Sequence, residues 1–407
     1  MRILYLHQYF KTPTQGGAVR SYYLGKALVD AGHDVEIITT HNQKEYKFEN
    51  IEGLKVHYLP IYYHNNLGFI SRIFSFISYH FKAFQLAKNL PVFELCYATS
   101  TPLSIGMLAL KLKKKLNLPF YFEVRDLWPE APVQLGYIKN YWLKKWLYKK
   151  EKQIYVEALK IIALSPGMRD GIEKVVAGKY ASLLPNMSDC EYFTYESKNP
   201  ILEQKYGTKG KFVIAYTGAL GAVNHVEGII EICKILQLNL PNVMLLVAGE
   251  GKKEKYLTDS IQKHHLNNIK YLGAINKDEV RNVLNVSDAA LVSFLDVPIL
   301  HTNSPNKFFD AIASGKLIIT NTGGWITELI ETKNCGFAIK NSDYKEFIRC
   351  LSTYISDKEL LEASKLNSRR LAENYFNKAE ICRNFVKLFD KSQPIDTVIS
   401  SVYTLTA

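Results

Sequence analysis

Short apolar runs alternate with longer amphipathic stretches from the start of the chain. The succession RILYLHQYF, GAVRSYYLGKALVDAG and DVEIITT predicts a strand, a helix and a second strand. The same alternation returns in FELCYATS, PLSIGMLALKLKKKLN and PFYFEVRD, and again in KIIALS and PGMRDGIEKVV. Repeated βαβ units of this kind predict a parallel sheet with helices on both faces.

The alternation is interrupted once and then begins again. The stretch YASLLPNMSDCEYFTYESKNP has no periodicity and is rich in Pro, Asn, Ser and Asp, which predicts a domain connection near residues 186–200. A second series follows, with strands predicted in KFVIAYTGALG, VMLLVAGEG, AALVSFL and KLIITNTGG. We therefore predict two doubly wound α/β domains, at residues 1–190 and 200–357, followed by C-terminal helices at 358–392.

Composition agrees with a globular protein of more than one domain. The 407 residues are 47% hydrophobic and 22% charged, which is too long a chain for one ordinary core. No apolar run reaches the ~18 residues that a membrane-spanning helix needs, and the N-terminus has no signal-peptide pattern. The six cysteines are scattered, without CxxC or metal-ligand spacing. These features predict a cytoplasmic protein with reduced thiols.

The net charge of +12 is concentrated in the first half of the chain. Residues 1–190 contain 25 Lys and Arg against 15 Asp and Glu, whereas the remainder contains 26 against 24. The asymmetry predicts an anionic partner for the first half: membrane headgroups, a diphosphate lipid or a nucleic acid. A nucleic acid is disfavoured because no RNP-like, KH, zinc-finger or helix-turn-helix motif is present.

Candidate binding residues follow the predicted strands, where parallel sheets bind ligands. Gly16 and Gly17 come after strand 1 and let backbone amides approach a phosphate or sugar, although a plain tight turn explains them equally well. His7 ends the same strand. The glycine turns that follow strands of the second domain are Gly218, Gly249, Gly251, Gly323 and Gly324. Together these turns predict a nucleotide cleft.

Two charged motifs complete the predicted site. In EVRDLWPE, the charged residues at the strand end either face a cleft or form an ion pair that holds a loop, with Trp128 in the core. In HTNSPNKFFDAIASG, Ser304 and Asn306 are typical helix-capping residues at an anion-binding helix start. Lys307 and Asp310 follow one turn apart, so they either bind a diphosphate and a ribose or form an i,i+3 surface ion pair.

Motifs in a fixed order connect these residues to a known family. GGA, FEVRDLWPE, LSPGM, LPNM, SPNKFFDAIASGK and NTGGW span nearly the whole chain. The combination resembles retaining glycosyltransferase family 4, and within it the branch of N-acetylfucosamine transferases of O-antigen and capsule assembly. The resemblance implies a GT-B fold of two facing Rossmann-like domains. It also implies transfer from a UDP-sugar to a polyprenyl-diphosphate-linked saccharide, with no metal ion and no cofactor.

The resemblance further implies a division of labour, with the acceptor on the first domain, the UDP-sugar on the second and the last helix crossing back to the first. On this basis we assign catalysis to Arg125, Asp126 and Lys307. Donor binding is assigned to Gly16, Gly17, Gly218, Glu250, Ser304, Asn306, Lys307 and Asp310. Acceptor binding is assigned to His7 and Glu130.

The sequence departs from the family pattern at three places. The positions that match the family's two glutamates hold Thr302 and Asp310, and Ala219 and Asn224 replace the usual Arg and Lys after the first strand of the second domain. Arg125 stands where many relatives have the histidine of His-Asp, and an arginine cannot act as a general base. The phosphate clamp therefore depends more on the lysine of SPNKFF, and the leaving phosphate itself can take the acceptor proton.

Two stretches of the first domain combine apolar side chains with cations. In residues 67–90 one side of the predicted helix carries Ile70, Phe74, Ile77, Phe81 and Phe84. Residues 141–155, YWLKKWLYKKEKQIY, set aromatic side chains among lysines. The pattern favours peripheral association with an anionic membrane, at the inner face of the cytoplasmic membrane. Apolar stripes that pack on the domain's own sheet are the alternative explanation.

A second enzyme class uses a similar two-domain scaffold. A nucleotide-sugar epimerase of the UDP-N-acetylglucosamine 2-epimerase type would convert a UDP-sugar without any acceptor. Isomerisation of the UDP-sugar alone distinguishes this class from a transferase.

Overall fold

The computed structural model describes residues 1–15, 17, 19–64 and 67–390, which form two compact units. The first unit contains Met1–Pro185, Thr302–Ser304 and the described residues from Ala379 onward. The second contains Asn186–His301 and Pro305–Lys378. Each unit is built on a largely parallel sheet, which confirms the predicted fold class of two α/β domains.

Within the described residues, eight strands form the sheet of the first unit. They are β1 Arg2–Leu6, β2 Asp34–His41, β3 Lys47–Ile51, β4 Leu54–Pro60, β5 Leu95–Thr99, β6 Phe120–Val124, β7 Lys160–Ala163 and β8 Ala181–Leu183. The helices that pack on this sheet are α1 Arg20–Asp30, α2 Phe69–Asn89, α3 Leu103–Leu116, α4 Glu130–Gln134, α5 Tyr141–Glu157 and α6 Pro166–Val175. The strand order is β3-β4-β2-β1-β5-β6-β7-β8.

The central strands are apolar because both of their faces are covered. All five residues of β5 and of β6 are buried. Parallel strands enclosed in this way have continuous apolar sequences rather than alternating ones.

β3 departs from the all-parallel sheet that the sequence predicted. It pairs antiparallel with β4 at the sheet edge, and most of its residues are exposed or half-exposed. The two strands are joined by Glu52 and Gly53, both with positive φ (49° and 90°). That pair is the geometry of a two-residue hairpin turn, which fits the right-handed twist of the strands.

The second unit has a six-stranded sheet in the order β11-β10-β9-β12-β13-β14. Its strands are β9 Phe212–Thr217, β10 Val243–Ala248, β11 Ile269–Tyr271, β12 Ala289–Val292, β13 Leu317–Thr320 and β14 Gly336–Ala338. Its helices are α7 Pro200–Tyr206, α8 Val226–Asn239, α9 Glu254–Lys263, α10 Lys277–Asn285, α11 Asn306–Ala313, α12 Trp325–Thr332, α13 Tyr344–Ser356 and α14 Lys358–Tyr375. Short 3₁₀ helices lie at Pro13–Gln15, Pro298–Thr302 and Lys340–Ser342.

The predicted C-terminal helical stretch divides into two helices. α14 belongs to the second unit, whereas α15, Lys378–Lys387, packs in the first unit from Ala379 onward. There the Phe385 ring lies 5.0 Å from that of Tyr97 in β5. Residues 391 and 392 of the predicted stretch lie outside the described residues.

Among the described residues, none of the helices has the length and apolar character needed to cross a membrane.

Both sheets reverse their winding direction once. In the first unit the order turns back between β1 and β5, and in the second between β9 and β12. Open parallel sheets bind ligands beyond the carboxyl ends of the strands at such a reversal. The topology therefore gives each unit one preferred position for a binding site.

Candidate functional site

In the first unit, polar residues gather at the reversal between β1 and β5. His7 follows β1, Ser100 and Thr101 follow β5, and Arg125 and Asp126 follow β6. Since β1, β5 and β6 are neighbours in the sheet, these residues share one edge. The structure thus brings together three of the residues assigned from the sequence.

His7 and Arg125 form a contact at the base of this group. Arg125 Nη1 lies 3.3 Å from His7 Nε2. Because a guanidinium can only donate, Nε2 is the acceptor and the ring proton is on Nδ1. Burial, helped by the Arg125 charge, lowers the pKa of His7 well below its ordinary value. His7 is therefore a neutral ring that positions a permanent, partly accessible cation.

Asp126 is held by the turn that follows β5. Its Oδ2 accepts a hydrogen bond from Thr101 Oγ1 at 2.6 Å, and the backbone N–H of Arg125 donates to Ser100 Oγ at 2.9 Å. Burial raises the pKa of the Asp126 carboxyl, an effect that Thr101 and Arg125 partly oppose. A fixed, partly accessible carboxylate of this kind can accept a hydrogen bond from a sugar hydroxyl.

Glu123, in the same motif, has a structural role. Its carboxylate is fully buried and accepts two hydrogen bonds from Arg20, at 3.0 and 2.9 Å, and one from Thr99. Burial alone would raise its pKa, but Arg20, Arg125 and Thr99 outweigh burial and keep the pKa below its ordinary value. The ion-pair interpretation therefore holds for Glu123, whereas Arg125 and Asp126 remain available to a ligand.

The remaining assigned residues of the first unit are placed apart from this group. Glu130 begins α4, and its carboxylate accepts hydrogen bonds from Tyr148 of α5 and from Gln134. Gly17 has φ +83°, and a Cβ at that position would lie no closer than 3.6 Å to Lys11. Its backbone conformation, rather than crowding, thus requires glycine. Gly16 lies outside the described residues.

In the second unit, Lys307 lies at the reversal between β9 and β12. Its ammonium donates to the hydroxyl of Tyr216 in β9 at 2.9 Å. The Nζ atom lies 4.0 Å from the centre of the Tyr216 ring and 5.0 Å from that of Phe294, which follows β12. Aromatic faces attract a cation, so the two rings hold the ammonium in place.

Gly218 makes room for this lysine. A Cβ on Gly218 would lie 2.9 Å from Lys307 Cε and 3.2 Å from Nζ, so any side chain there would displace the ammonium. Burial lowers the pKa of Lys307 to about 7, while part of the residue stays accessible. An anion bound beside Lys307 would raise the pKa of the lysine again, so that the ammonium is charged and forms an ion pair with the anion.

Two further glycines hold the neighbouring turn. A Cβ on Gly249 would lie 1.8 Å from the carbonyl oxygen of Gly218, and one on Gly251 would lie 2.4 Å from that of Leu220. Leu220 N in turn donates to the backbone carbonyl of Glu250 at 2.8 Å. Glu250 is exposed, so its backbone helps to build the turn while its carboxylate faces solvent.

Asp310 lies one turn beyond Lys307 on α11 but does not pair with it. No ion pair joins the two side chains, and no hydrogen bond to the Asp310 carboxylate occurs in the described part of the chain. Burial raises the pKa of Asp310 to about 7; Lys277 opposes the rise and Asp189 adds to it. The alternative of an i,i+3 surface ion pair is therefore not observed, and Asp310 is a half-buried carboxyl that can accept a hydrogen bond from a hydroxyl.

The predicted capping of α11 by Ser304 and Asn306 is also wrong. The N-cap residue is Pro305, which has no side chain able to cap, and Asn306 is the first helical residue, with an exposed side chain. Ser304 belongs to the first unit. α11 is instead held by its apolar side, where Phe308 and Phe309 are fully buried and pack against Trp325 and Phe376.

Sequence patterns did not reveal the aromatic residues that hold Lys307. Tyr216 is the inward-facing tyrosine of an apolar strand, and Phe294 follows another, so both read as ordinary core residues. A pair formed by His301 Nε2 and Asp296 at 2.7 Å was missed as well. Gly324 packs against the backbone of the same histidine, since a Cβ on Gly324 would lie 2.4 Å from the His301 carbonyl oxygen.

Two family models match the chain. The model described as "Glycosyl transferase 4-like domain" matches residues 15–186, and the one described as "Glycosyl transferases group 1" matches residues 198–371. Together they cover most of both units. The chain therefore belongs to the glycosyltransferases, and its fold is the GT-B fold.

Individual relatives are distant. The capsular polysaccharide biosynthesis glycosyltransferase CapM of Staphylococcus aureus is 25% identical over 60% of this chain, an alignment that spans 64% of CapM, less than two thirds of its length. Sucrose-phosphate synthase from Thermosynechococcus elongatus has a TM-score of 0.77 at 15% identity, covering 95% of this chain and 98% of that one. Anabaena HepE, solved in complex with UDP-glucose, has a TM-score of 0.69 at 17% identity, covering 96% and 99%.

Proposed function

We propose that this protein is a retaining glycosyltransferase of bacterial O-antigen, capsule or exopolysaccharide assembly. It transfers an N-acetyl sugar from a UDP-sugar donor to a saccharide linked to polyprenyl diphosphate. The observation that carries the proposal is Lys307, held between Tyr216 and Phe294 at the reversal of the second sheet, with Asp310 one turn further on.

The second unit offers the groups that a nucleoside diphosphate needs. Lys307 meets the diphosphate, the turns at Gly218 and Gly249 bring backbone close to it, and the Asp310 carboxylate accepts hydrogen bonds from the ribose hydroxyls. The complex of HepE with UDP-glucose supports uridine as the nucleoside of the donor. The ammonium also stabilises the charge that develops on the leaving diphosphate, so the proposal needs no metal ion or other cofactor.

The first unit offers the groups that an acceptor needs. Arg125 binds the acceptor phosphate or orients the donor sugar, and Asp126 accepts from a sugar hydroxyl. Neither acts as the base. The bond from the anomeric carbon to the diphosphate oxygen breaks, the acceptor oxygen bonds to the same face, and the acceptor proton passes to the leaving diphosphate.

Exposed apolar side chains support a membrane-linked acceptor. On α2, four side chains expose about half of their surface or more: Ile70 70%, Phe74 67%, Ile77 47% and Phe81 56%. On α5, Trp142 and Trp146 expose 72% and 48%. Each of these side chains keeps about half or more of its surface exposed, whereas Phe84 is partly buried. Their position among lysines suits insertion into an anionic membrane surface, at the inner face of the cytoplasmic membrane.

A thermal-shift panel tests the donor assignment. UDP and UDP-N-acetyl sugars are expected to raise the melting temperature, whereas GDP, ADP and CMP are not, because only ligands that bind the folded state stabilise it. Incubation of a stabilising UDP-sugar with a polyprenyl-diphosphate saccharide then tests transfer. Isomerisation of the UDP-sugar without acceptor would instead identify an epimerase, an activity that the matching glycosyltransferase models do not favour.

A further inference from the structure

An open groove of about 460 Å³ lies in the first unit, between the end of β4 and the first half of α2. The residues that form its walls include Ile61, Tyr62, Leu67, Ser71, Phe74 and Ser75. The walls are mainly apolar, and the serines add isolated hydroxyls. Such a lining suits a hydrocarbon chain better than a charged group.

The groove continues into an exposed apolar face of α2. Phe74 belongs to both, and Ile70, Ile77 and Phe81 extend the face along the helix at spacings of three or four residues. From Ile70 to Phe81 this face is about 16 Å long, at the ordinary rise of an α-helix. A long chain that enters the groove can therefore remain in contact with apolar surface.

The inner wall of the groove adjoins the polar group at the end of β1. Ser75 Oγ accepts a hydrogen bond from Gln8 Nε2 at 3.0 Å, and both residues are buried. Gln8 directly follows His7, whose ring contacts the Arg125 guanidinium. The groove and the polar group at the end of β1 therefore lie on either side of the buried Gln8–Ser75 pair.

The charges around the groove match an anionic head. From residue 53 to residue 93 the chain has no Asp or Glu but has four cations: Lys55, which pairs with Asp34 at the far end of β4, and Arg72, Lys82 and Lys88. Two of these cations donate hydrogen bonds to the backbone of residues that line the groove. Arg72 Nε donates to the Leu67 carbonyl at 3.1 Å, and Lys82 Nζ donates to the Pro60 carbonyl at 3.2 Å. A diphosphate near the groove would meet no opposing carboxylate from this segment.

We propose that the groove between β4 and α2 binds the first isoprene units of the polyprenyl-diphosphate acceptor, with the diphosphate directed towards Arg125. The proposal rests on the acceptor class proposed above and adds where its lipid is held. The chain of the acceptor is the occupant, rather than the acyl chain of a bilayer lipid, because only the acceptor places its head beside the polar group at the strand ends.

Calorimetric titration with farnesyl diphosphate and inorganic diphosphate tests this proposal. The wild-type protein is expected to bind farnesyl diphosphate at least about ten-fold more tightly, the gain from burying two or more methylene groups. Ser71→Trp fills the groove and is expected to remove that gain while leaving inorganic diphosphate binding unchanged. Gln85→Trp introduces the same side chain at an exposed position of α2 away from the groove and is expected to keep the gain.

Phe74→Ala provides a second variant that removes one wall, and it too is expected to weaken farnesyl diphosphate alone. Equal binding of the two ligands by the wild-type protein, or an undiminished preference in Ser71→Trp, would overturn the proposal. So would loss of vesicle binding in Ser71→Trp without any change for farnesyl diphosphate, since bilayer lipid would then be the occupant. Transfer to an acceptor without a lipid chain tests the proposed function separately, so either idea can fail alone.

Discussion

At the scale of single residues, the second unit keeps two ionisable groups in places that disfavour their charges. The pKa of Lys307 is lowered from 10.5 to about 7, and that of Asp310 is raised from 3.8 to about 7, in both cases mainly by burial. Both shifts cost folding stability at neutral pH, and residues retained at such a cost are candidates for function. Substitutions of Lys307 and Asp310 are therefore expected to change stability and activity in opposite directions.

Lys307→Met is expected to weaken UDP binding about ten- to one-hundred-fold without lowering the melting temperature. Below pH 7 the folded state carries a buried charge, and this destabilisation disappears as the pH rises from 7 towards 10.5, so removing the charge stabilises the protein at pH 7. Titration with UDP and thermal unfolding measure the two effects. The control is Lys316→Met, since Lys316 is also buried, with a pKa lowered to about 7, but directly precedes β13, at the opposite end of that strand from the candidate site. A drop in UDP affinity in both variants would remove Lys307 from the site.

The same two residues predict a bell-shaped pH dependence of kcat/KM for the UDP-sugar, with its maximum near pH 7. Below that pH Asp310 gains a proton and loses an acceptor for the ribose; above it Lys307 loses its proton and its charge. Asp310→Asn is expected to flatten the acidic limb and Lys307→Arg the basic limb, each at lower activity. A profile whose limbs survive both substitutions would place the titrating groups elsewhere.

Asp310→Asn also has an expected effect on stability that opposes its effect on activity. Because its pKa is raised, the folded state holds a proton that the unfolded state releases between pH 3.8 and about 7. Stability therefore falls as the pH rises through that range, and Asn removes the loss above pH 7. Thermal unfolding at pH 8 should show a higher melting temperature for the variant, whereas a lower one would mean that the carboxylate has a structural role.

At this scale the sequence identified the charged residues but not what holds them. Lys307 and Asp310 stand out as polar residues of an amphipathic helix after a strand. Tyr216 and Phe294 do not, because an aromatic residue at the end of a buried strand looks the same whether it packs in a core or holds an ammonium. Ser304 and Asn306 had the composition of a helix cap, but the N-cap position is occupied by Pro305, which makes no capping hydrogen bond, so composition was misleading there.

At the scale of helices and strands, one buried ion pair ties three elements of the first unit together. Arg20 begins α1, Glu123 belongs to β6, and the Arg20 guanidinium also donates to the carbonyls of Leu184 and Pro185 after β8. Both side chains are almost completely buried. Pro185 is the last residue of this unit before the chain passes to the second, so the Arg20 side chain also holds the backbone at the end of the first unit's main segment.

Glu123→Gln is expected to destabilise the first unit by about 3 kcal/mol, because it leaves the Arg20 charge buried without its partner. Denaturant unfolding measures the change. The double variant Glu123→Leu with Arg20→Met removes both charges and is expected to recover much of the lost stability. If the double variant is no more stable than Glu123→Gln, the backbone contacts of Arg20, rather than the ion pair, provide the stabilisation.

Two exposed residues of α2 test the proposed membrane contact. Replacing both Ile70 and Phe81 by Asp is expected to reduce binding to anionic vesicles at least about ten-fold in a flotation assay, since both side chains are largely exposed and would lose their apolar contact. Leu238→Asp is the matched control, because Leu238 on α8 of the second unit exposes 83% of its surface. Unchanged flotation of the double variant would show that this face does not contact the membrane.

Periodicity predicted most of the strands and helices but gave no prediction for β4 and β8, although both are largely buried. It missed β3, whose residues KFENI lack a buried apolar face because the strand lies at the sheet edge. It also joined α14 to α15, since the amphipathic pattern continues across residues 376 and 377. At the break, Asn377 forms a β-bridge with Ser188, a long-range contact that the local pattern does not show.

At the scale of the whole molecule, the two units have the same architecture and different chemistry. Among its parallel strands, each has a single reversal of strand order, with polar residues at the strand ends. The first unit has an excess of cations and exposed apolar helix faces, whereas the second has nearly balanced charge and a lysine held by aromatic rings. The charge difference was visible in the sequence; the position of each site required the strand order, which depends on long-range pairing that no local pattern encodes.

Two compact units predict two calorimetric unfolding transitions that respond to different changes. UDP is expected to raise only the transition of the second unit, because the groups that would bind it, Lys307 and Asp310, belong there. Glu123→Gln is expected to lower only the transition of the first unit, where the pair with Arg20 is buried. If UDP and the substitution shift the same transition, there are two explanations: UDP binds the first unit, or the two units unfold as one cooperative block. Calorimetry of the Glu123→Gln variant in the presence of UDP distinguishes them. In a single block the two shifts add in one transition, whereas UDP binding to the first unit leaves the second transition in place.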